Sequence, residues 1–283
     1  MTRCLIIGCG YVGNHLGTLL LNEGCTVYGL RRQAHKIAEN ITPIGMDWLD
    51  MTVDKLPEVD FIFYLLSPDS SDDTNYKKTY LEGTKHLIHL LNTSEKPCQK
   101  IIYASSTKVY SIQDGSWVDE ETPINPTEPK AKILYEAENI ITSSGHDFSI
   151  ARLGGIYGPH RHFLLNQVIN GEVSIRKDQA FSNRIHQEDC AQALKHMMTL
   201  TFNEGIYNVV DQEPATLNTI ISWISSKSGK PLPPLEEANS SMDLRLTNKQ
   251  CSCQRLLHTG FIFKYPNFRD GFGEILRKEF NVH

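Results

Sequence analysis

Short apolar runs alternate with helical stripes through the first half of the chain. Cys4–Ile7, Cys25–Leu30, Ile41–Met46, Phe61–Leu66, Lys100–Ala104 and Phe148–Arg152 read as strands, each bounded by polar or turn-forming residues. Between them, 11–23, 76–92 and 131–142 repeat apolar residues at helical spacing. The second of these carries its stripe on Tyr80, Leu81, Thr84, Leu87, Ile88 and Leu91. Strands that are apolar throughout, with helices between them, predict a parallel sheet covered on both faces. Beyond about residue 160 the pattern loosens into helices, short strands and the Pro-rich loop Lys230–Pro234. The expected fold class is α/β: a Rossmann-like, doubly wound parallel sheet over 1–160, with a smaller, partly interleaved C-terminal lobe over 161–283.

With 283 residues, 40% of them hydrophobic, the chain can bury one large core or two unequal ones. A net charge of −5 and no basic run argue against nucleic acid or an anionic membrane as partner. The opening apolar stretch is too short for a signal peptide and no window is long enough to span a bilayer, so a cytoplasmic location is expected. Seven cysteines, odd in number and several in expected core strands, fit reduced thiols better than a disulfide framework. Cys251 and Cys253 stand one residue apart, but no second cluster accompanies them.

The first strand runs into Gly8-Cys-Gly10-Tyr11-Val12-Gly13, and the stripe Val12, Leu16, Leu19, Leu20 opens a helix directly behind it. Three glycines at this spacing are weak evidence alone. Between a strand and a helix, with a further strand following, they form a site for a dinucleotide pyrophosphate. Gly8 allows the tight turn, Gly10 lets the backbone approach the phosphates, and Gly13 lets helix and strand pack closely. The unpaired N–H groups of the helix and the positive end of its dipole then face the anion. The second strand ends in Arg31-Arg32, where an NAD site usually places an acid for the ribose 2′-OH. An arginine offers forked donors to a 2′-phosphate, so NADP(H) is expected over NAD(H).

From here the chain resembles the extended short-chain dehydrogenase/reductases, the NAD-dependent epimerases/dehydratases of nucleotide sugars. The likeness runs from about residue 4 to 272. Its blocks are the glycine turn, Asp47, Gly83-Thr84, Ser105-Ser106-Thr107-Lys108-Val109-Tyr110, Glu120-Glu121-Thr122-Pro123, Arg152 through Tyr157-Gly158-Pro159, Asn183-Arg184-Ile-His186 through Asp189, and Ile206-Tyr207-Asn208-Val209. The resemblance implies that Asp47 and Trp48 lie beside the adenine and that Leu66 and Ser67 line the pyrophosphate and ribose. It places Tyr157 near the nicotinamide and makes Ser106 the hydroxyl that hydrogen-bonds the substrate oxygen. By analogy, the helices at 76–92 and 131–142 pair across a two-fold in a homodimer.

The chain also departs from that family, whose catalytic pair is Tyr-x-x-x-Lys followed by Glu. Aligning Pro126 and Glu138 puts Lys130 at the tyrosine position and Leu134 at the lysine position. Leu134 belongs to the apolar stripe Ile133, Leu134, Ala137, Ile140, Ile141 and is expected in the core. Lys130, at the helix start, is the candidate for proton exchange. Tyr110 and Tyr135 are weaker substitutes. In the family's dehydratases an acid pair follows the active-site hydroxyl; Thr107 and Lys108 cannot serve so and are assigned to substrate binding. Arg161 and Arg184 are candidate ligands for a substrate phosphate. His160, His162 and His186 lack evident carboxylate partners, and no metal is expected. His186 and Asp189 are expected to be structural. Two readings stay open: an NADP(H)-dependent oxidoreductase or epimerase acting on a sugar nucleotide or other small carbonyl or hydroxyl compound, and a non-catalytic dinucleotide-binding protein that senses redox state or binds a partner.

Overall fold

The computed structural model describes residues 1–96, 98–177, 179–201, 205–236 and 248–281. Seven strands make the main sheet: β1 (Arg3–Ile7), β2 (Thr26–Leu30), β3 (Thr42–Ile44), β4 (Phe61–Tyr64), β5 (Lys100–Ser106), β6 (Phe148–Leu153) and β7 (Ile206–Val209). Their spatial order is β7-β6-β5-β4-β1-β2-β3. The sheet is parallel, with Cys4 opposite both Val27 and Phe61, Tyr28 opposite Thr42, and Phe61 opposite Lys100. Strand order reverses on either side of β1, which opens a crevice outside the carboxyl ends of β1 and β4, the usual ligand position in such sheets.

Six strands fall on the apolar runs of the sequence. The seventh comes from 206–209, where four residues carry too short a pattern to be told from the small strands around them. Its place is decided by the free edge of β6, and Tyr207 and Val209 are buried there. The third strand is shorter than its apolar run because it lies at the sheet's other edge, where Pro43, which has no N–H to donate, is tolerated.

The helices are α1 (Tyr11–Asn22), α2 (Asp73–Tyr76), α3 (Gly83–Thr93), α4 (Pro129–Thr142), α5 (Phe163–Asn170), α6 (Gln187–His196), α7 (Leu217–Lys227), α8 (Gln254–His258) and α9 (Phe268–Phe280). Alternation along β1 sorts them. Leu5 and Ile7 join Ile62, Tyr64, Ile101 and Tyr103 under Leu87 and Leu90 of α3 and Ala137 and Ile141 of α4. Ile6 points the other way, so close to α1 that a methyl group at Gly13 would stand 3.0 Å from its Cγ2. The single helix expected over 76–92 is broken by a π-helical turn at Lys77–Glu82. Gly83 follows that turn because the Tyr64 hydroxyl, donating to the Thr79 carbonyl at 2.6 Å, fills the space a side chain would need.

The chain forms two compact units, and each is discontinuous. The first gathers Met1–Ser111, Pro123–Arg152 and Cys190–Tyr207; the second gathers Ile112–Thr122, Leu153–Asp189 and Asn208–His283. Within the second unit Gly155–Tyr157 pairs in parallel with Arg184–His186. There α5, α7 and α9 share a core that includes Tyr157, Leu165, Ile220, Ile224, Phe268 and Phe272. Among the described residues no helix is long and apolar enough to cross a membrane, and none of the seven cysteines forms a disulfide.

Candidate functional site

The glycine turn is built as its spacing demands. Gly8 adopts φ of +90°, and a Cβ there would stand 2.7 Å from the Leu65 and Leu66 backbone. Gly8 and Cys9 both donate their N–H to the Leu30 carbonyl, at 3.0 and 2.9 Å, which fixes the turn against β2. At Gly13 an added Cβ would meet the Gly8 carbonyl at 2.9 Å, whereas at Gly10 the nearest neighbour is 3.8 Å away. The turn is therefore closed on its protein side and open at Gly10. Gly10, the N-cap residue of α1, has no side chain to cap the helix, so the N-cap position itself does not compete with an anion there. Cys9 is spent within the turn: its Sγ donates to Asn14 Oδ1 at 3.3 Å, and burial pushes its thiol up to about 12 against the weaker pull of Arg31. Tyr11 and Val12 are half-buried at the first positions of α1.

Beside the turn lies an open cleft of about 130 Å³ lined by Gly8, Leu30, Arg31, Arg32, Met46, Asp47, Trp48, Leu49, Leu66, Ser67, Asp69, Asn75, Lys78 and Thr79. The two arginines face different surroundings. Arg32 forms an exposed ion pair with Asp69, whose carboxyl it holds below the usual range. Arg31 is half-buried, and among the described residues its guanidinium donates to the Lys36 carbonyl alone, at a long 3.4 Å. Asp47 accepts from the Leu49 N–H at 3.1 Å and stands 3.8 Å from Lys78. Trp48 is buried, its Nε1 donating to the Gly83 carbonyl at 2.9 Å and its ring edge-on to Tyr64 and His86. The cleft thus collects Gly8, Arg31, Arg32, Asp47, Trp48, Leu66 and Ser67 from the sequence candidates. Asp69, Asn75, Lys78 and Thr79 were not legible, because nothing local ties them to a strand end some 40 residues away.

A second cluster stands at the end of β5. Ser106 is half-buried, its Oγ accepting from the Lys108 N–H at 3.2 Å, which leaves the hydroxyl's own hydrogen to donate. Thr107 is buried behind it. Lys130, the second residue of α4, places its Nζ 5.4 Å from the centre of the Tyr76 ring, and Lys108 Nζ lies 5.9 Å from the same ring. Leu134 is buried at 1% exposure, in the core.

Beneath Ser106 runs a buried charged network. Arg152 donates from Nη2 to Glu138 at 2.7 Å and from Nε to the same carboxylate at 3.1 and 3.3 Å. Ser105 Oγ donates to Glu138 at 2.6 Å, and Arg152 Nη1 donates to the Tyr110 hydroxyl at 2.9 Å. This network ties β5, α4 and β6 together and occupies Tyr110. Tyr135 is half-buried on α4.

Tyr157, Arg161 and Arg184 belong to the second unit. They line a cavity of about 240 Å³ with Ile156, His162, Phe163, Leu164, Gln167, Leu217 and Phe272. The Tyr157 ring packs 4.4 Å from Phe272 and edge-on to His186, and its buried hydroxyl has no hydrogen-bond partner among the described residues. His186 also packs on Tyr265, while Asp189 accepts from the Lys264 and Tyr265 N–H groups at 2.8 Å each.

The model of the NAD dependent epimerase/dehydratase family matches residues 4–209. The chain belongs to that family. It is 25% identical to protein YeeZ of Escherichia coli strain K12 over 280 residues, 94% of this chain and 97% of that protein. Two solved structures have the same fold. UDP-glucuronic acid 4-epimerase of Bacillus cereus, in complex with NAD, aligns with a TM-score of 0.78 at 19% identity, over 95% of this chain and 96% of that one. The human epimerase family protein SDR39U1, with NADPH, also aligns with a TM-score of 0.78, at 18% identity over 98% and 100% of the two chains.

Proposed function

We propose that this family member binds NADP(H) at the glycine turn and uses it in the oxidoreduction or epimerisation of a small hydroxyl or carbonyl compound, a sugar nucleotide among them. The observation that carries the cofactor reading is the contrast between Arg31 and Arg32. One arginine of the pair is already neutralised by Asp69, and the other lines the cleft without an ion pair among the described residues. The space the turn leaves open at Gly10, at the start of a helix whose N-cap is a glycine, fits a pyrophosphate. The nicotinamide supplies hydride transfer when bound.

The chain's own residues divide the remaining tasks. Gly10 lets the backbone approach the phosphates in a turn that Gly8 and Gly13 shape, Arg31 holds the 2′-phosphate, and Asp47, Leu66 and Ser67 line the nucleoside. Ser106 donates its hydroxyl hydrogen to the substrate oxygen as charge develops there. Lys130, with the Tyr76 ring beside it and no carboxylate partner among the described residues, exchanges the substrate proton. Arg161 and Arg184 are the candidate ligands for an anionic group within the second unit.

A hydride-exchange experiment tests the reading. The purified chain is loaded with 4-deuterated NADPH and supplied with a panel of keto-sugar nucleotides and small ketones, whose carbonyl carbon can accept the hydride, and deuterium in the recovered compounds is followed by mass spectrometry. Label transfer to a member of the panel is expected. Tight NADPH binding with no transfer to any member would overturn the catalytic part and favour a cofactor-binding protein without turnover, to which the buried Leu134 at the family's lysine position also points.

A further inference from the structure

The cavity of the second unit has a lining of mixed character. Leu164, Leu217 and Phe272 make its walls apolar, and Phe163, 70% exposed, stands at its edge. Two arginines enter this lining and no acidic side chain does. His162 is already engaged, with Nε2 at 3.5 Å from Glu279 and Nδ1 at 3.3 Å from the Gly158 carbonyl. Arg184 is different. Among the described residues no carboxylate lies within ion-pair range of it, and its buried Nε has no acceptor. Asp211 acts on it only at longer range, and burial disfavours its charged form. A guanidinium held in apolar surroundings without a counter-charge is costly, and an anion from solution removes that cost. A polar sugar or base would leave its hydroxyls and amides facing leucine and phenylalanine.

We infer that this cavity binds a small organic anion: an apolar or aromatic body seated against Leu164, Leu217, Phe272 and Phe163, with its charged group paired to Arg184. Only the identification of this molecule as the substrate rests on the function proposed above; the binding does not.

Calorimetric titration of the full chain, saturated with NADPH, tests it with 1-naphthyl phosphate as probe and 1-naphthol as its uncharged counterpart. The phosphate is expected to bind at least tenfold more tightly than the alcohol. Arg184→Gln should weaken the phosphate at least tenfold and leave the alcohol within twofold. Phe163→Ala, at an exposed position that leaves the fold intact, should weaken both at least threefold. Three results would overturn the inference: no saturable binding of naphthyl phosphate, equal affinity in wild type and Arg184→Gln, or no loss in Phe163→Ala. UDP binding lost in Arg184→Gln, in a protein that ignores naphthyl phosphate, would assign the cavity to a nucleotide instead. Failure of NADPH to bind the wild type would refute the cofactor reading and leave the naphthyl phosphate titration to stand alone.

Discussion

Replacing Arg31 separates the two arginines that the sequence presents as equals. The 2′-phosphate of NADPH carries close to two negative charges, and a half-buried guanidinium beside it makes charge-assisted hydrogen bonds worth about 1.5–3 kcal/mol net. At about 1.4 kcal/mol per decade, that is a roughly 10- to 150-fold preference for NADPH over NADH. Arg32 contributes far less, because Asp69 already holds it and an exposed ion pair of this kind is worth about 0–1 kcal/mol. Arg31→Ala should therefore lose most of the preference and Arg32→Ala little of it. Arg31→Asp should reverse the order, since a carboxylate accepts from the ribose hydroxyl and repels the phosphate. Asp69→Asn should release Arg32 and tighten NADPH by a few fold. Calorimetric titrations of NADPH and NADH into the four variants and the wild type, at low and high salt, give every number needed. The preference should shrink at high salt because the cleft is open to solvent. Equal affinities in the wild type, or a larger loss in Arg32→Ala than in Arg31→Ala, would refute the reasoning.

Three further outcomes follow from the described geometry. Ser106→Ala should lower kcat/KM about a hundredfold by removing a donor to the substrate oxygen, and Lys130→Met should abolish turnover. Both should keep the NADPH Kd of the wild type, so a shifted Kd would move these residues out of the reaction and into the cofactor site. Glu138→Gln should cost about 3–5 kcal/mol in urea unfolding, because Arg152 would stay buried and uncompensated. The apolar double variant Glu138→Leu with Arg152→Met should recover much of that loss, and a single-variant cost below about 1 kcal/mol would show that the pair is not what holds β5, α4 and β6 together. Burial raises the Asp211 carboxyl well above its ordinary range, with the Glu213 N–H and Arg184 acting against it. The folded chain therefore keeps a proton that the unfolded chain loses near pH 3.9, and the stabilisation is full below that pH and declines as pH rises towards the folded value. Asp211→Asn should flatten the fall of Tm as pH rises above about 4, and parallel profiles would contradict it.

The order of strands and helices was legible in the chain because each element's period is set by residues a few positions apart. The same holds for the glycine turn: strand, three glycines and helix lie within 20 residues, so their chemistry is local. Arg31 was legible for the same reason, as the residue that follows the second strand. The pairing of Arg32 with Asp69 was not, since 37 residues separate them and only the sheet order brings the end of β2 near the loop after β4. Nor was the network of Ser105, Glu138, Arg152 and Tyr110, whose members come from β5, α4, β6 and the turn after β5. The sequence reading put a boundary near 160 with a partly interleaved lobe beyond it, without saying which segments interleave; compactness gathers 190–207 with the sheet and 112–122 with the second unit. Periodicity cannot report such exchanges, because a four-residue strand such as β7 gains its hydrogen bonds only when the edge of β6 is available. The chain by itself determined which backbone can turn, coil or extend, and which side chain stands at each turn. Which charges are neutralised and which are left to meet a ligand was decided by packing, because an ion pair depends on distance through space and the sequence records only distance along the chain.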